Sequence, residues 1–121
     1  MTKSHSLRFV ILLDMSSQKL KLVVTVPVTH ADAVRKVLGD AGAGKIGNYS
    51  HCSFSTQGIG RFLPVEGANP HVGAVGKYEE VHEERIEVTC DLAILDSVIS
   101  AMKSAHPYEE VAYDVYQLIS Q

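Results

Sequence analysis

The chain of 121 residues lacks a basic excess, because its 11 Lys and Arg residues are outnumbered by 14 Asp and Glu residues. It also lacks any apolar run near the ~20 residues that a membrane-spanning helix needs. These absences argue against a nucleic-acid-binding protein and against a membrane protein. The length and the 45% hydrophobic content suit a single domain.

Cysteine is scarce too, since Cys52 and Cys90 are too few for a disulfide scaffold. We therefore expect a reducing, cytoplasmic environment. Both cysteines lie on segments that we predict to pair as a hairpin, so the thiols could be neighbours. Two packed thiols are favoured over a bridge.

Catalytic motifs are missing as well: the chain has no CxxC pair, Walker loop, Ser/His/Asp arrangement or metalloprotease signature. We therefore predict no catalytic residue and no evident cofactor. Binding of a divalent metal ion remains an open alternative. An enzyme remains the third interpretation, supported only by clustered His, Tyr and Glu residues.

The N-terminus begins with a basic segment and a short apolar run, residues 7 to 13, which Asp14 ends without a cleavage site for a signal peptide. We expect residues 1–18 to form a poorly ordered extension and residues 19–121 to form the domain. Residues 1–14 are interpreted as the product of an upstream start, with Met15 as the natural one. Phe9 and Ile11 packed in the core would contradict this interpretation.

Hydrophobic periodicity predicts six elements after residue 18. Alternation in LKLVVTVP predicts a strand that Pro27 ends, and helical spacing with Thr29 or Asp91 as N-cap predicts two amphipathic helices. Residues 48–56 and 60–64 are interpreted as one long, bent or bulged strand. The order is βαββαβ, with further strands at 77–90 and 111–119. It predicts an α+β ferredoxin-like sandwich in which two helices cover one face of a four-stranded antiparallel sheet.

The last predicted strand offers apolar or aromatic residues on both faces, Tyr113 and Val115 on one and Tyr116 and Leu118 on the other. One face of the sheet would lie open, and an exposed apolar face usually marks a partner. We expect self-association. The alternative is that the C-terminal tail folds over this face.

Four features between residues 42 and 85 could carry chemistry. Gly42, Gly44 and Gly47 follow a helix and precede a strand, which favours a helix cap over a phosphate loop. His51 and Cys52 would point to opposite faces of a regular strand, which argues against one shared ion. The long loop of residues 65–76 suits either ligand contact or a plain connection. EEVHEER, residues 79–85, is interpreted as a solvated, mutually paired strand face.

SAHPYEE, residues 104–110, combines an imidazole, a phenol and two carboxylates. His106 is predicted at the C-terminus of the second helix, where the helix dipole favours an imidazolium. Glu109 and Glu110 would point to opposite faces if the last strand has begun. The stretch is therefore interpreted as a helix-to-strand corner.

The motifs LVVTVP, GAGKIGNYSHCSFSTQGIGRFLPVEGANPHVG, VHEERIEV and AHPYEEVAYDVY together resemble the YqfO-type domain of the Nif-three-like proteins. The likeness covers about residues 19–118, and Val111 stands where that pattern has proline. The dinuclear metal ligands of that family lie outside this domain, so no residue here is assigned that role. More distantly the chain resembles CutA, which shares the strand order and the turn at residues 106–109.

Both resemblances imply a PII-like homotrimer with a small-ligand or regulatory role and a cleft between subunits. The alternative that they imply is CutA-like binding of copper or a divalent metal ion, with His51, His106 and Glu110 as candidate ligands and Cys52 or His71 as further partners. A protein partner is also possible. The candidate ligand-binding residues are Gly44, Tyr49, His51, Cys52, His71, His106, Tyr108 and Glu109.

Overall fold

The structure is a computed structural model and describes residues 18–119. Predictions that concern residues 1–17 lie outside this range. Gln18, the first described residue, accepts a hydrogen bond from the Leu92 amide at 2.9 Å and donates from its side chain to the Leu118 carbonyl at 3.2 Å. In chain order the elements are β1 Lys19–Pro27, α1 Val28–Asp40, β2 Phe54–Phe62, β3 Glu79–Asp91, a short 3₁₀ helix Leu92–Ile94, α2 Leu95–Ala105 and β4 Tyr113–Gln117.

The four strands form one antiparallel sheet in the order β2-β3-β1-β4. With the two helices this order confirms the predicted ferredoxin-like α+β fold. In β1, Leu22 and Val24 pair with Val88 and Ile86 of β3, and all four side chains share one face. That face is buried under both helices, which contribute most of the remaining core residues: Ala31, Val34, Leu38, Val98 and Met102.

The opposite face, which we call the open face, is mixed in character. Lys21, Arg85 and Glu87 form ion pairs across it, with Lys21 Nζ 3.8 Å and Arg85 Nε 3.2 Å from Glu87. The aromatic residues Phe54 on β2 and Tyr116 on β4 occupy the two edge strands. Phe54 is 68% exposed and Tyr116 is 48% exposed.

Two predicted strand starts and one predicted bulge are wrong. Residues 48–53 are not a strand, and β2 begins at Phe54 and pairs with β3 without a bulge through Gly58 and Gly60. The segment before it forms turns, because a two-residue bridge between Ile46 and Tyr49 closes a tight loop there. The last strand is shorter than predicted, since the 111–112 segment precedes it.

Neither predicted N-cap residue caps a helix through its side chain. Thr29 lies inside α1, which begins after Pro27, and its hydroxyl contacts Nδ1 of His30 at 2.8 Å. Asp91 is the last residue of β3 and precedes the 3₁₀ helix, while its carboxylate pairs with Lys19 Nζ at 2.9 Å. By contrast, Gly42, Gly44 and Gly47 after α1 all have positive φ angles, as glycines at helix caps and tight turns commonly do.

Both cysteines are free thiols, with Cys90 buried in the core and Cys52 half-buried. Burial raises the pKa of the Cys90 thiol. Within residues 18–119, neither helix is long and apolar enough to cross a bilayer.

Candidate ligand-binding cavity

A cavity of about 440 Å³ opens at the end of the sheet where β1 and β2 finish and β3 begins. Two segments close over it: the loop of residues 63–78 between β2 and β3, and the turn of residues 106–112 between α2 and β4. The loop is held closed at its base by the Gly76 amide, which donates to the Pro64 carbonyl at 2.8 Å. The walls combine apolar residues with a few polar ones, among them Thr25, Arg61, Phe62, Pro64, Val65, Pro70, Val72, Glu83, Tyr108, Glu109 and Glu110.

Tyr108 is the central residue of this cavity. Its hydroxyl donates to Glu83 Oε2 at 3.0 Å, and its ring meets Phe62 edge-to-face with centroids 5.9 Å apart. Burial, together with the hydrogen bond and the charge of Glu83, raises the pKa of the phenol above its usual value. Tyr108 is therefore a neutral hydrogen-bond donor at physiological pH.

His106 packs against Tyr108, with ring centroids 5.1 Å apart, and is 6% exposed. Its Nε2 lies 2.8 Å from the Thr25 carbonyl, and its Nδ1 accepts the Tyr108 amide at 3.1 Å. These two contacts require the neutral tautomer with its proton on Nε2. The predicted imidazolium is wrong, because burial lowers the pKa of this ring despite the helix terminus.

Three further predicted residues lie around the same cavity. Glu109 Oε1 accepts a hydrogen bond from the Asn69 amide at 2.8 Å, which ties the turn to the loop. His71 stands between Tyr108 and His30, with ring centroids 6.3 Å and 5.8 Å away. Glu110 is exposed at the cavity and, like Glu109, precedes β4, so the predicted opposition across a strand does not arise.

The other four predicted residues lie elsewhere, in the segment that follows α1. Gly44 donates its amide to the Thr89 carbonyl at 2.7 Å and accepts the Cys52 amide at 2.8 Å. Tyr49 is 75% exposed in this segment. Because His71 of the cavity lies beside His30 at the start of α1, the helix of 13 residues separates the two groups by roughly 20 Å. The predicted ligand-binding residues therefore belong to two separate regions of the fold, the cavity and the segment after α1.

His51 is held at the C-terminal end of α1. Its Nε2 lies 2.9 Å from Asp40 Oδ1, and its ring lies where a side chain on Gly39 would be, 2.0 Å from an added Cβ. The hydrogen bond from His51, and then that from Lys36, lowers the pKa of Asp40. His51 also has a positive φ of 60°, which non-glycine residues rarely adopt.

The metal candidates do not converge. His51 lies at one end of α1, while His106 and Glu110 belong to the cavity turn, where both His106 nitrogens are engaged. Among the described residues, no three His, Cys, Asp or Glu side chains are placed to hold one ion. The structure thus places His71, Tyr108, Glu109 and Glu110 around one cavity and His51 apart from them.

Glu83 is the site residue that sequence reasoning missed. It belongs to the stretch interpreted as solvated, yet it is 7% exposed and faces the cavity. Gly60 makes this possible, because a Cβ there would lie 2.1 Å from Glu83 Oε1. A glycine inside a strand signals a close approach of another group, and Gly60 was the available signal.

No known protein-family profile matches the chain. It is 54% identical over 96 residues to a GTP cyclohydrolase 1 type 2 homolog of Bacillus subtilis and 48% identical over 99 residues to that of Mycobacterium leprae. The matched segments cover 79% and 82% of this chain. They are 26% of each relative, so the chain spans about a quarter of their length.

The solved structures agree with this result. A Bacillus cereus protein related to NIF3 superimposes with a TM-score of 0.75 at 56% identity, over 86% of this chain and 26% of that one. The periplasmic divalent cation tolerance protein CutA from Archaeoglobus fulgidus superimposes with a TM-score of 0.63 at 17% identity, over 85% and 86% of the two chains. The first match confirms the predicted resemblance to Nif-three-like proteins, and the second confirms the CutA-like fold.

Proposed function

We propose that this chain, a relative of one segment of the Nif-three-like proteins, is a non-enzymatic, homotrimeric regulatory domain that binds a small molecule in the Tyr108 cavity. The observation that carries the proposal is the cavity itself. Its volume of about 440 Å³ falls in the range of small-ligand sites, roughly 300–1,000 Å³.

The cavity is also preorganised. The bond of Tyr108 to Glu83 fixes one wall, and the bond of the Asn69 amide to Glu109 fixes the loop against the turn. A ligand entering such a site does not have to order a flexible loop, so less binding energy is lost. This favours a binding module.

The state of two polar residues, Tyr108 and His106, supports a non-enzymatic role. Catalysis by acid and base needs a group that exchanges protons near neutral pH. Two candidate groups do not meet this need: the pKa of Tyr108 in the cavity wall is raised, and both nitrogens of the neighbouring His106 are engaged in hydrogen bonds. We therefore do not transfer to this chain the cyclohydrolase activity that appears in the name of its much longer relatives.

Self-association is supported by exposed apolar residues. Phe54 and Tyr116 lie on the open face, while Leu63 and Val65 at the cavity are 52% and 65% exposed. A second subunit that covered Leu63 and Val65 would close the cavity, as the PII-like resemblance implies. We also place the protein in the cytoplasm, where its two free thiols would stay reduced.

A fragment screen by two-dimensional amide NMR tests the ligand-binding proposal. We expect a subset of fragments to shift the amides of Gly60, His71 and Tyr108. Ala68→Trp should abolish these shifts, because Ala68 lines the cavity. Ala74→Trp is the matched control, since Ala74 is exposed on the same loop away from the cavity. A diverse library that shifts none of these amides would refute the proposal.

The second candidate function is CutA-like binding of copper or a divalent metal ion. One observation favours it: the exposed imidazole of His51 and the Asp40 carboxylate lie 2.9 Å apart. Imidazole and carboxylate are both common metal ligands. Two ligands make a weak site, so this function ranks below the cavity.

A further inference from the structure

Glu83 is a buried carboxylate without a cation. It is 7% exposed, and within residues 18–119 no Lys, Arg or His forms an ion pair with it. Among the described residues its side chain has one hydrogen-bond donor, the Tyr108 hydroxyl, whose bond Oε2 accepts. Removing a carboxylate from water is costly unless a positive charge or several donors replace the lost hydration.

The second oxygen of this carboxylate, Oε1, has no hydrogen-bond partner among the described residues. Every fully enclosed side-chain nitrogen or oxygen in that part of the chain has one. Oε1 must therefore be reached from open space, and Glu83 lines the cavity. The cavity thus contains one unsatisfied acceptor that carries negative charge.

The charged residues that line the cavity are mostly acidic, like Glu83 itself. Three carboxylates line it, those of Glu83, Glu109 and Glu110, whereas the basic residues of the lining are Arg61 and His71. Arg61 is engaged outside the cavity, because its Nε lies 3.3 Å from Glu80 Oε1. An anionic ligand would meet repulsion here, whereas a cation would be attracted.

Apolar surface surrounds the buried carboxylate. Phe62 and Tyr108 pack edge-to-face, and the buried Pro64 lines the same cavity. Such a site fits a molecule with one polar head and an apolar or aromatic body. A hydrated metal ion would gain nothing from these walls.

We propose that the cavity binds an organic cation whose protonated amine or guanidinium group donates to Glu83 Oε1 while its apolar body packs against Phe62 and Pro64. This inference rests on the proposed small-ligand function and adds the chemical class of the ligand. Tyr108 acts as the positioning residue that holds Glu83 in place.

Three probes of the same shape and different charge test the inference: benzylamine, benzyl alcohol and benzoate. Each is titrated into the full chain while the amide signals of Gly60 and Tyr108 are followed by NMR. We expect benzylamine to bind with a Kd of roughly 1 mM, a normal affinity for a fragment of this size. The alcohol should bind at least about tenfold more weakly, and benzoate should not bind.

Glu83→Gln keeps the shape and removes the charge, so it should weaken benzylamine binding by about tenfold or more. Glu87→Gln is the matched control, because Glu87 lies on the same strand and the same face of the sheet, away from the cavity. It should leave the affinity unchanged. If Glu83→Gln does not fold, Tyr108→Phe is the second variant: it keeps the ring and removes the donor that positions Glu83, so it should weaken the binding of benzylamine more than that of benzyl alcohol. An equal loss for the two probes would overturn the proposal of a cationic ligand.

The outcomes separate this inference from the function on which it rests. Two results would refute the proposal that the ligand is a cation while leaving the small-ligand function in place. One is binding of benzyl alcohol or benzoate as tight as that of benzylamine, and the other is unchanged benzylamine binding in Glu83→Gln. Failure of all three probes, with other fragments binding in the cavity, would also overturn only the cation. If no fragment of any charge shifts the cavity amides, both proposals fail.

Discussion

The hydroxyl of Tyr108 and the carboxylate of Glu83 lie 3.0 Å apart and join the turn after α2 to the start of β3. This contact spans 25 residues of sequence and connects two segments that both line the cavity. Because the acceptor is charged, the bond is stronger than one between neutral groups. Its loss should be measurable both in stability and in the shape of the cavity.

Tyr108→Phe should lower the free energy of unfolding by about 1–2 kcal/mol, because Glu83 then loses its protein donor while the aromatic packing on Phe62 is kept. Urea denaturation followed by circular dichroism measures the change. Tyr78→Phe is the control, since Tyr78 is 58% exposed. Equal stability of the two variants would show that the bond contributes nothing.

Gly60 and Gly58 provide a matched pair on β2. An alanine Cβ at Gly60 would lie 2.1 Å from Glu83 Oε1, whereas at Gly58 nothing lies within 4 Å. Gly60→Ala should therefore destabilise the protein by roughly 1–2 kcal/mol, because the Glu83 carboxylate must move away and lose its hydrogen bond to Tyr108. Gly58→Ala should be neutral or stabilising by up to about 1 kcal/mol, because it restricts the unfolded chain.

A double variant shows whether Gly60 acts through Glu83. In the Tyr108→Phe background the carboxylate is no longer held in place and can move away from a new methyl group. The cost of Gly60→Ala should then fall, which a thermodynamic cycle measures as a coupling energy. Additive effects would mean that the two residues act independently.

The sheet and the helices could be predicted because their hydrophobic patterns are strong and local. In β1, Leu20, Leu22, Val24 and Val26 alternate along one face, and every one of them is buried. The β2 boundary was harder. Its outer residues from Phe54 onward are mostly exposed, so no hydrophobic pattern marks where the edge strand starts.

The cavity could be predicted only in part, because the chain pattern does not show which charged residue a distant loop will cover. The His106, Tyr108 and Glu109 turn attracted attention through its composition. Glu83 did not, since it is one of several glutamates on β3 and is distinguished only by burial under the loop and by Tyr108. The strand assigned around His51 was wrong because turn residues there were masked by β-forming neighbours.

Metal binding should be weak and should depend on His51. Equilibrium dialysis against copper and zinc, followed by metal analysis, measures stoichiometry in the purified chain. His51→Ala should remove any bound metal, while His82→Ala, which removes another exposed imidazole, should not. Absence of stoichiometric metal, or metal retained when both His51 and His106 are replaced by alanine, would rule out the CutA-like alternative.

Two substitutions on β2 test whether the open face is the interface of the proposed trimer. Phe54 and Ile59 both belong to β2 and are 68% and 44% exposed, but their side chains point to opposite faces of the sheet. Sedimentation velocity should show a trimer for the unmodified chain. Phe54→Asp should shift it toward monomer if the open face is the interface, and Ile59→Asp should not. A monomeric unmodified chain at micromolar concentration would contradict the proposal.

The stability of the protein should fall as the pH drops below the ordinary His pKa of 6.5, because the pKa of His106 is lowered in the folded state. The main cause is burial, which outweighs the hydrogen bond to Thr25 and the charge of Glu83. Below pH 6.5 the unfolded chain takes up a proton that the folded chain refuses. Unfolding is thereby favoured, by at most about 1.4 kcal/mol per pH unit.

The contribution of His106 to the free energy of unfolding is therefore fully present above pH 6.5. It declines as the pH falls toward the lowered pKa of the folded state. Urea denaturation between about pH 5 and 8 measures the slope, above the range in which the carboxyl of Asp40 titrates. His106→Asn should reduce the pH dependence of stability, whereas His82→Asn should leave it intact because the His82 ring is exposed.

Nitrogen chemical shifts of the His106 ring should show the Nε2–H tautomer that its contacts with Thr25 and Tyr108 require. An unchanged slope in His106→Asn would mean that another group controls acid sensitivity.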